Sequence, residues 1–517
     1  MMKRPALFRA LALCSLLALA LGARQAFPDQ GRRVKAFIDK NGASILKEYS
    51  EFLSIPNVAS AAKNIRRNAE AIVAMLRRRG VEARLLEGEG CPPLVYGEIA
   101  QPGAKKTIIF YAHYDGQPID PVQWKDDPWK PVLRDRRLED AGKIVDRSAI
   151  TFERGRDYRL YGRSTSDDKA PIMALAVAVD FLKSELTSPS INLKFLFEGE
   201  EEAGSPHLQG LLRKYRELLR ADALFICDGP VDQTGRMQVT FGARGSMGLE
   251  MTVYGPNHPL HSGHYGNWAP NPISLLTGLL AGTRDQDGGI GIEGFYDDVR
   301  PVSEADKNAI AELPDIDARL RREYGLAWSE AGNARLASRI LMPALNFRGL
   351  EAGAVGAKAA NAVPAEARAS IDFRLVPDQD PENVKKLVEA HISARGFHIL
   401  WRDPTPDERI NHAKLIKLEW EDGYPPYRLA LDDPFGREVV RTLGAALSEP
   451  PLRLPALGGS VPMKMFADVL GIPVLGLPIV NYDNNQHGPN ENLRLGNLWD
   501  GIAVFAALFS GLGQDWR

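Results

Sequence analysis

The sequence predicts an α/β protein in which a mixed sheet flanked by helices is interrupted by a smaller α+β domain. Four short segments rich in Ile, Val, Leu and Phe have the length and apolar character of buried strands. They are residues 107–111, 191–197, 223–226 and 472–477. Segments 249–254 and 367–375 instead alternate polar and apolar residues, which predicts a second sheet with one exposed face. Asn192 and Lys194 interrupt the second apolar segment, which is consistent with a strand that has one face partly exposed to solvent.

Helical periodicity flanks the strands of the first domain. In chain order, the predicted elements are helices at 32–52 and 64–79, strands at 94–99 and 107–111, and a helix at 172–186. Gly80 ends the second helix, because glycine readily adopts the left-handed conformation found at helix C-termini. Pro171 suits the first turn of the third helix, where its missing N–H costs no hydrogen bond. Residues 126–152, which are charged and contain prolines, are expected to form a long loop before that helix.

A change of pattern near residue 245 divides the chain into domains. At 517 residues the chain exceeds one ordinary core, so two domains are expected. Helices predicted at 271–283 and 382–395 cover the alternating strands and complete an inserted domain. The predicted organisation is a signal peptide at 1–22, a first domain in two parts at 27–244 and 430–517, and the inserted α+β domain at 245–429. No function is assigned to the charged residues 285–339.

Composition restricts the class of protein. A hydrophobic content of 44% and a charged content of 25% are typical of a soluble globular protein. The net charge of −2 gives no reason to expect a nucleic-acid partner, and no polybasic run predicts binding to an anionic membrane.

The N-terminal segment has the pattern of a secretory signal. Three basic residues precede an apolar stretch at 10–21 that is too short to span a bilayer. Small residues favour cleavage after Gly22, and an uncleaved anchor or a buried helix is the alternative. The expected location is the periplasm of a double-membrane bacterium, or otherwise the exterior, without stable membrane association after cleavage.

Seven short polar clusters carry the side chains of chemical interest. They are His113-Tyr-Asp115, Ser166-Asp167-Asp168-Lys169, Glu200-Glu201-Glu202-Ala-Gly204-Ser205, Cys227-Asp228-Gly229, His261-Ser-Gly263, Gly458-Gly459-Ser460 and His487-Gly-Pro-Asn490-Glu491. Five of them contain metal-ligand side chains, and four of these five follow a predicted buried strand. Functional groups in an open α/β sheet gather beyond the carboxyl ends of the strands. The sequence therefore predicts that two histidines and several carboxylates meet at one edge of the sheet.

These side chains suit a site for two divalent cations. Two imidazoles with three carboxylates favour Zn²⁺, or Mn²⁺ or Co²⁺, over Ca²⁺, which prefers oxygen ligands alone. Of the adjacent Asp167 and Asp168, Asp167 is preferred as a bridge between two cations and Asp168 as its local support. Of the glutamates between 198 and 202, one can bind metal while another acts as general base. Asp115 can fix the tautomer of His113.

Each cluster taken alone also has a structural explanation. An aspartate before a helix caps free N–H groups, and a run of acidic residues is usually a solvated surface. Asp228 and His487, taken singly, are more often ordinary polar loop residues. The prediction therefore depends on where the clusters fall relative to the strands.

Together the motifs resemble a known family, the co-catalytic di-zinc peptidases, which include carnosinase-type dipeptidases, carboxypeptidase G, aminoacylase and succinyl-diaminopimelate desuccinylase. The resemblance runs from about residue 34 to 511 and is nearest in character to the carnosinase-like dipeptidases. The motifs that carry it are His113-Tyr-Asp115-Gly-Gln117-Pro118, Leu260-His261-Ser262-Gly263, Asn361-Ala-Val-Pro364 and Ile371-Asp-Phe-Arg374-Leu-Val-Pro377. Ala170 and Ser164 stand where relatives commonly have glycine.

The resemblance implies a role for each side chain. The metal ligands would be His113 and Asp228 for one ion, Glu202 and His487 for the other, and Asp167 for both. Glu201 would be the general base, Asp115 would orient His113, and the peptide bond between Asp167 and Asp168 would be cis. The substrate contacts would be His261, Asn361, Arg374 and Ser460, with Arg374 taking the terminal carboxylate.

The resemblance also implies an assembly and a reaction. The inserted domain would be a dimerisation lid, and His261 would stabilise the oxyanion in the partner subunit's active site. The expected activity is hydrolysis of small peptides with a free C-terminal carboxylate, using two Zn²⁺ per subunit, a hydroxide shared by the metals and proton transfer by Glu201. An N-acyl-amino-acid deacylase would use the same metal site. A catalytically silent binding protein is disfavoured, because the whole ligand set and the base are present.

Overall fold

The computed structural model describes residues 7–421, 423–513 and 515–516, with side chains from residue 30 onward except at Ala149. The chain forms two compact units. The first comprises Met1–Val239, Leu431–Arg453 and Ala467–Arg517, and the second comprises Thr240–Ala430 and Leu454–Phe466. Residues 454–466 are predicted from the sequence to lie in the first domain, which the motifs indicate to be catalytic. They belong to the second unit instead, because their backbone pairs with its first residues, as in the hydrogen bond from Leu457 N–H to the Gly242 carbonyl.

The strands and helices follow one another along both units. The strands are β1 (Glu82–Leu86), β2 (Leu94–Ile99), β3 (Thr107–His113), β4 (Val132–Arg134), β5 (Arg159–Tyr161), β6 (Asn192–Glu198), β7 (Ala223–Ile226), β8 (Gln238–Thr240), β9 (Gly242–Ala243), β10 (Gly245–Tyr254), β11 (Leu260–His261), β12 (Ala344–Glu351), β13 (Ala362–Val363), β14 (Glu366–Leu375), β15 (His398–Leu400), β16 (Leu415–Glu421), β17 (Tyr427–Arg428), β18 (Leu452–Leu454), β19 (Val474–Gly476) and β20 (Asn492–Arg494). The helices are α1 (Leu7–Leu53), α2 (Ala62–Arg78), α3 (Lys169–Ser184), α4 (Leu208–Lys214), α5 (Ser262–Tyr265), α6 (Pro272–Ala281), α7 (Glu304–Glu312), α8 (Asp317–Glu323), α9 (Glu330–Asn333), α10 (Leu336–Ile340), α11 (Pro381–Ala394), α12 (Pro406–Asn411), α13 (Pro434–Ala446), α14 (Met463–Leu470) and α15 (Leu495–Gly511).

The first unit is built on an eight-stranded sheet in the order β1-β2-β6-β3-β7-β19-β8-β18. The strands β6, β3, β7 and β19 are parallel to one another, whereas β1, β2 and β6 pair antiparallel. These four parallel neighbours are the four apolar segments predicted from the sequence. The mixed α/β architecture is therefore confirmed, and the carboxyl ends of the four strands lie along one edge of the sheet.

Aromatic packing joins the centre of this sheet to the C-terminal helix. Phe110 in β3 stacks on Phe225 in β7 with ring centroids 5.2 Å apart. The ring of Phe509 in α15 meets Phe110 edge to face at 5.1 Å. All three side chains are fully buried. Such rings contribute large apolar areas to a core, so this packing fixes the strands that precede the predicted ligands.

The polar residues that interrupt β6 form hydrogen bonds inside the first unit. The ammonium group of Lys194 is buried and donates to the carbonyls of Leu218 and Arg220, at 2.7 Å each. The side-chain carbonyl of Asn192 accepts a hydrogen bond from the Gln101 N–H at 2.8 Å. The polar side chains that indicated a partly exposed face thus form hydrogen bonds within the protein.

The second unit contains a five-stranded sheet in the order β12-β14-β10-β16-β15. Along β14, the odd-numbered residues from Ala367 to Leu375 are buried and the even-numbered residues between them are not. Leu276 in α6 and Val388 in α11 belong to the same apolar core as that buried face. The structure therefore has the predicted sheet with one covered face, and α6 and α11 are the helices predicted at 271–283 and 382–395.

Residues 285–339, to which no function was assigned from the sequence, pack within the second unit. Helix α7 begins with a capping box in which Ser303 and Asp306 each accept a backbone hydrogen bond from the other. Asp306 also forms an ion pair with Arg428 at 2.5 Å, and both side chains are buried. A buried ion pair of this kind ties α7 to the strand β17.

The predicted signal peptide, residues 1–22, lies partly outside the described residues, which begin at Leu7. From there to residue 22 it is part of α1. Between residues 32 and 52 this helix coincides with the predicted one and buries Val34, Ile38 and Leu46. None of the helices in the described part of the chain is long and apolar enough to cross a membrane.

Candidate metal centre

The predicted ligands converge beyond the carboxyl edge of the first unit's sheet. Their positions are His113 at the end of β3, Glu201 and Glu202 in the turn that follows β6, Asp228 after β7, Asp167 before α3 and His487 in the loop between β19 and β20. Parallel neighbouring strands end at the same edge, so side chains distant in sequence come within a few ångströms of one another.

These side chains form two triads that share one aspartate. The first consists of His113, Asp167 and Asp228, the second of Asp167, Glu202 and His487, and within each triad the ligand atoms lie within 4.8 Å of one another. Oδ1 of Asp167 lies 3.0 Å from Nε2 of His113, and its Oδ2 lies 3.2 Å from Nε2 of His487. The two oxygens of one carboxylate therefore face two different groups of ligands, as a bridging carboxylate does.

The first triad has the chemistry that a bound cation needs. Nε2 of His113 is buried and has no hydrogen-bond partner of suitable geometry among the described residues. Carboxylate oxygens of Asp167 and Asp228 lie 3.0 and 3.9 Å from that nitrogen. A buried polar atom without a partner is costly, and a divalent cation held by these three groups would satisfy it.

Burial and mutual repulsion raise the pKa values of the acidic groups. Burial and the charge of Asp167 raise the pKa of Glu202 to about 8 and that of Asp228 to about 6. Burial, with the charges of Asp228 and Glu202, holds the pKa of Glu201 well above its usual range. Carboxyl groups this close can all ionise only if positive charge is brought among them, so the cluster favours cations.

The imidazoles supply part of that positive charge. The hydrogen bond to Asp167 raises the pKa of His487 to about 9. Burial alone would lower the pKa of His113, but the adjacent carboxylates of Asp115 and Asp167 hold it well above its usual range. In turn, burial would raise the pKa of Asp167, yet the two imidazoles more than offset this and hold it below its usual range.

Asp115 supports both the first histidine and the glutamate loop. Its carboxylate lies 3.3 Å from Nδ1 of His113. The same carboxylate accepts hydrogen bonds from the backbone N–H groups of Glu201 and Glu202, at 3.1 and 3.0 Å. A proton on Nδ1 leaves the Nε2 lone pair directed at the triad, which is the tautomer that a metal ligand requires.

Glu201 stands beside the first triad. Its side chain is buried, and Oε2 lies 4.0 Å from Nε2 of His113. A carboxylate at this position, with a raised pKa, is suited to accept and release a proton next to the cluster.

Asp168 does not cap the helix that follows it. No side-chain capping hydrogen bond is formed at the start of α3. Its carboxylate instead accepts a hydrogen bond from the backbone N–H of His113 at 3.1 Å, so it supports that ligand. The peptide bond between Asp167 and Asp168 is cis, as the resemblance implied.

Glu491 was not assigned a role from the sequence, yet it holds the loop that carries Asp167. It is fully buried and accepts hydrogen bonds from the backbone N–H groups of Ser164, Ser166 and Asp167, at 2.8, 2.8 and 2.9 Å. The guanidinium of Arg163 completes its partners at 2.9 Å. The only signal in the sequence was its place at the end of the His487 cluster.

Two other side chains near the site also lacked an assignment. The amide nitrogen of Gln117 donates to Oε2 of Glu202 at 2.6 Å and so orients that ligand. The ammonium of Lys169 is fully buried and donates to the carbonyls of Phe52 and Ile55, at 3.1 and 3.0 Å. The first residue of α3 is thereby fixed to the last turn of α1 and to the segment that follows it.

The four predicted substrate residues lie in the second unit and form two pairs. His261 is exposed, and its Nδ1 accepts a hydrogen bond from the Gly263 N–H at 3.1 Å. The carbonyl of Asn361 accepts one from the N–H of Ser262, the neighbour of His261, at 2.8 Å. Nη1 of Arg374 donates to Oγ of Ser460 at 3.0 Å.

The α/β sheet and the two triads at its carboxyl edge define a metal-dependent hydrolase. The model of the peptidase family M20/M25/M40 matches residues 109–510 of this chain. The chain therefore belongs to that family, which confirms the resemblance seen in its motifs, and it is an enzyme of the metallopeptidase class.

Named relatives and solved structures agree with this family. The chain is 28% identical to the Cys-Gly metallodipeptidase of Candida albicans over 429 residues, 82% of each chain. It is 26% identical to the Beta-Ala-His dipeptidase of Homo sapiens over 431 residues, 82% of this chain and 78% of the relative. The structure of an M20 family metallo-carboxypeptidase from Sulfolobus solfataricus is 28% identical and matches with a TM-score of 0.74, over 90% of this chain and 98% of that one.

Replacing Glu491 by Gln tests whether this carboxylate positions the Asp167 loop. Glutamine keeps the shape of the side chain and one acceptor oxygen. Its NH₂ group, however, replaces an oxygen that accepts backbone N–H groups in the wild type, so that donors face a donor. The loop should shift, and the affinity for a divalent cation should fall about 10- to 100-fold, the usual effect of losing a group that supports a ligand. Competition with a chelator of known affinity measures the change.

Glu438→Gln is the matched control for this substitution. Glu438 also accepts a hydrogen bond from a backbone N–H, that of Gly513 at 2.7 Å, and pairs with Arg441. It forms no hydrogen bond or ion pair with the residues of the two triads, so its loss should leave the affinity for the cation unchanged. An unchanged affinity in Glu491→Gln as well would contradict the positioning role.

Proposed function

We propose that the protein is a zinc-dependent dipeptidase, which hydrolyses the amide bond of dipeptides or small peptides with a free C-terminal carboxylate. The observation that carries this proposal is the pair of triads around Asp167, whose two carboxylate oxygens face the two imidazoles at 3.0 and 3.2 Å. The names of two relatives support the substrate class, because Cys-Gly and Beta-Ala-His are dipeptides.

The residues present fit two divalent cations in each subunit. His113 and Asp228 would hold one, Glu202 and His487 the other, and Asp167 both. Nitrogen and oxygen ligands of this kind suit Zn²⁺, with Mn²⁺ and Co²⁺ as alternatives. When bound, the metals would lower the pKa of water and polarise the scissile carbonyl.

Proton transfer is the part of the reaction that we assign to Glu201. Its buried carboxylate would take the proton from the attacking water and then deliver it to the leaving amine. Asp115 keeps the backbone of Glu201 in place through the hydrogen bond at 3.1 Å, so the base is held in position before substrate arrives.

Substrate contacts are proposed for His261, Asn361, Arg374 and Ser460. Arg374 would bind the terminal carboxylate, since a guanidinium forms strong hydrogen bonds with carboxylates. His261 would stabilise the oxyanion that forms on the scissile carbonyl.

We also propose that the protein is a homodimer through the second unit, in which His261 of each subunit acts in the partner's active site. Strand β12 is an edge of the five-stranded sheet and pairs only with β14 among the described strands. It exposes Phe347 and Leu350, with 40% and 57% of their surface accessible. An exposed edge strand with apolar side chains is suited to pairing with another chain.

A matched pair of substrates tests the proposed activity. The protein is stripped of metal with a chelator, reloaded with Zn²⁺, and given a free dipeptide and its N-acetylated form. Cleavage of the free dipeptide should disappear with the metal and return with zinc, while the acetylated form should remain intact. Release of acetate from the acetylated form would instead assign an N-acyl-amino-acid deacylase, and zinc-independent cleavage would contradict the metal site.

Glu201→Gln is the control in the same assay. Zinc content should remain at the wild-type level, while kcat should fall at least about 100-fold, because positioned acid–base groups contribute about 10²- to 10⁴-fold to rates. An unchanged kcat would remove Glu201 from the role of base.

Mixing two inactive variants tests the exchange of His261 between subunits. Glu201→Gln subunits keep His261, and His261→Ala subunits keep Glu201. In a mixed dimer, one active site has an intact base and receives the partner's intact histidine, so the mixture should be more active than either variant alone. Activity no higher than the average of the two variants would show that each site is self-contained.

We propose export to the periplasm or the exterior, directed by residues 1–22. The arrangement of Lys3, Arg4 and Arg9 before the apolar stretch supports this. N-terminal sequencing of the protein recovered from the expressing cells should begin at Ala23. A chain that still begins at Met1 outside the cytoplasm would contradict cleavage.

A further inference from the structure

The glutamate loop, residues 200–207, carries the proposed general base and one of the metal ligands. Apart from Pro206, which has no N–H group, every residue from 201 to 207 donates its backbone N–H in a hydrogen bond. Asp115 accepts two of these hydrogen bonds and Glu200 accepts three. The three donors to Glu200 are Ala203, Ser205 and His207, at 3.1, 3.0 and 3.0 Å. Glu200 therefore holds the second half of the loop, as Asp115 holds the first.

The carboxylate of Glu200 depends on His207 for its hydrogen bonds. Only 6% of Glu200 is exposed, and a buried carboxylate is costly unless it is hydrogen-bonded. Among the described residues, His207 alone donates to it. The backbone N–H of His207 donates to Oε1 at 3.0 Å, and its ring Nδ1 lies 3.1 and 3.0 Å from Oε1 and Oε2. The ring is 47% exposed, so its main contribution is this hydrogen bond and not buried apolar surface.

His207 also connects the glutamate loop to a helix. It directly precedes α4, and its carbonyl accepts a hydrogen bond from the N–H of Leu211, whose side chain is buried. Within the loop, Ser205 has a φ of 53°, a left-handed conformation that residues other than glycine adopt only where their neighbours hold them. The pair of Glu200 and His207 thus fastens a loop with an unfavourable backbone conformation to the first turn of a packed helix.

We propose that His207 is a positioning residue for catalysis, which acts through Glu200 to hold Glu201 and Glu202 in the orientation that the metal centre requires. This rests on the proposed role of Glu201 as general base. The carbonyl of Glu200 accepts two hydrogen bonds of the loop, and its carboxylate is bound by His207. A shift of Glu200 therefore also breaks the hydrogen bonds that close the loop behind the base and the ligand. Groups that support a ligand contribute about 10- to 100-fold to activity or metal affinity.

Two substitutions separate the hydrogen bond of His207 from the shape of its ring. Phenylalanine keeps a ring and removes the donor, whereas the amide nitrogen of asparagine can donate from close to the position of Nδ1. In the zinc-loaded protein, His207→Phe should lower kcat for a dipeptide about 10- to 100-fold. KM should stay the same, because the residues proposed to contact substrate lie in the second unit. His207→Asn should retain most of the wild-type kcat. An unchanged kcat in His207→Phe, or an equal fall in both variants, would overturn the proposal.

Lys214→Met is the matched control. Lys214 is exposed at the other end of α4, where its ammonium donates to the carbonyl of Glu87 at 2.8 Å. The substitution removes a hydrogen bond that fastens α4 but none within the glutamate loop, so kcat should remain at the wild-type level. A fall as large as that of His207→Phe would show that general anchoring of the helix is what matters, and it would contradict a specific role for the pair of His207 and Glu200.

Hydrogen exchange tests the positioning without any substrate. In the zinc-loaded protein, the amide hydrogens of residues 201–205 should exchange at least about 10-fold faster in His207→Phe than in the wild type, because a hydrogen bond to a charged group is lost and the loop opens more readily. His207→Asn and Lys214→Met should exchange as the wild type does. If the protein cleaves no dipeptide, the proposed activity fails while this measurement still decides whether His207 holds the loop. Equal exchange in the wild type and His207→Phe would overturn the positioning role, whatever the enzyme cleaves.

Discussion

Repulsion among carboxylates at the carboxyl edge of the first sheet is the constraint on which the site depends. Burial strengthens it, because little water remains to screen the charges. The imidazoles of His113 and His487 lie on either side of Asp167 and hold its pKa low, while burial and the ionised Asp167 raise the pKa values of Glu202 and Asp228. The histidines thus neutralise one carboxylate and leave the others to bind protons or cations. Divalent metals at the same atoms would displace the protons and neutralise the remaining charge.

Backbone N–H groups hold this repulsive cluster together. The carboxylate of Asp115 accepts hydrogen bonds from two backbone N–H groups, those of Glu201 and Glu202. The carboxylate of Glu491 accepts hydrogen bonds from three backbone N–H groups in the loop before α3. In both cases one acidic side chain fixes a loop that carries another acidic side chain. Oriented N–H dipoles stabilise the negative charge at the point where the ligands need it. The loops are therefore placed by protein groups alone, which prepares the site for its metals before they bind.

The parallel strands and their ligand loops could be predicted because both are local patterns, an apolar run followed within a few residues by polar side chains. Contacts between distant segments leave no such signal. Glu491 reaches Arg163 across 328 residues and Arg244 reaches Gly458 across 214, and a single sequence does not indicate either pairing. The same reason explains residues 454–466, whose backbone pairs with residues near 242. Lys194 indicated a solvent-exposed face for the same reason. Its ammonium donates to carbonyls of a later loop, and a single sequence does not indicate that this loop lies beside the strand.

The two units carry unbalanced charge of opposite sign. Without metal, the first unit has an excess of carboxylates, so its field favours an ammonium group and repels a carboxylate. Around Arg244 and Arg374 the second unit has an excess of positive charge, and the reverse preference holds. Divalent cations bound in the first unit would neutralise its carboxylates, whereas the guanidinium groups of the second unit stay charged. The second unit therefore keeps its positive charge in the metal-loaded protein and favours an anionic ligand.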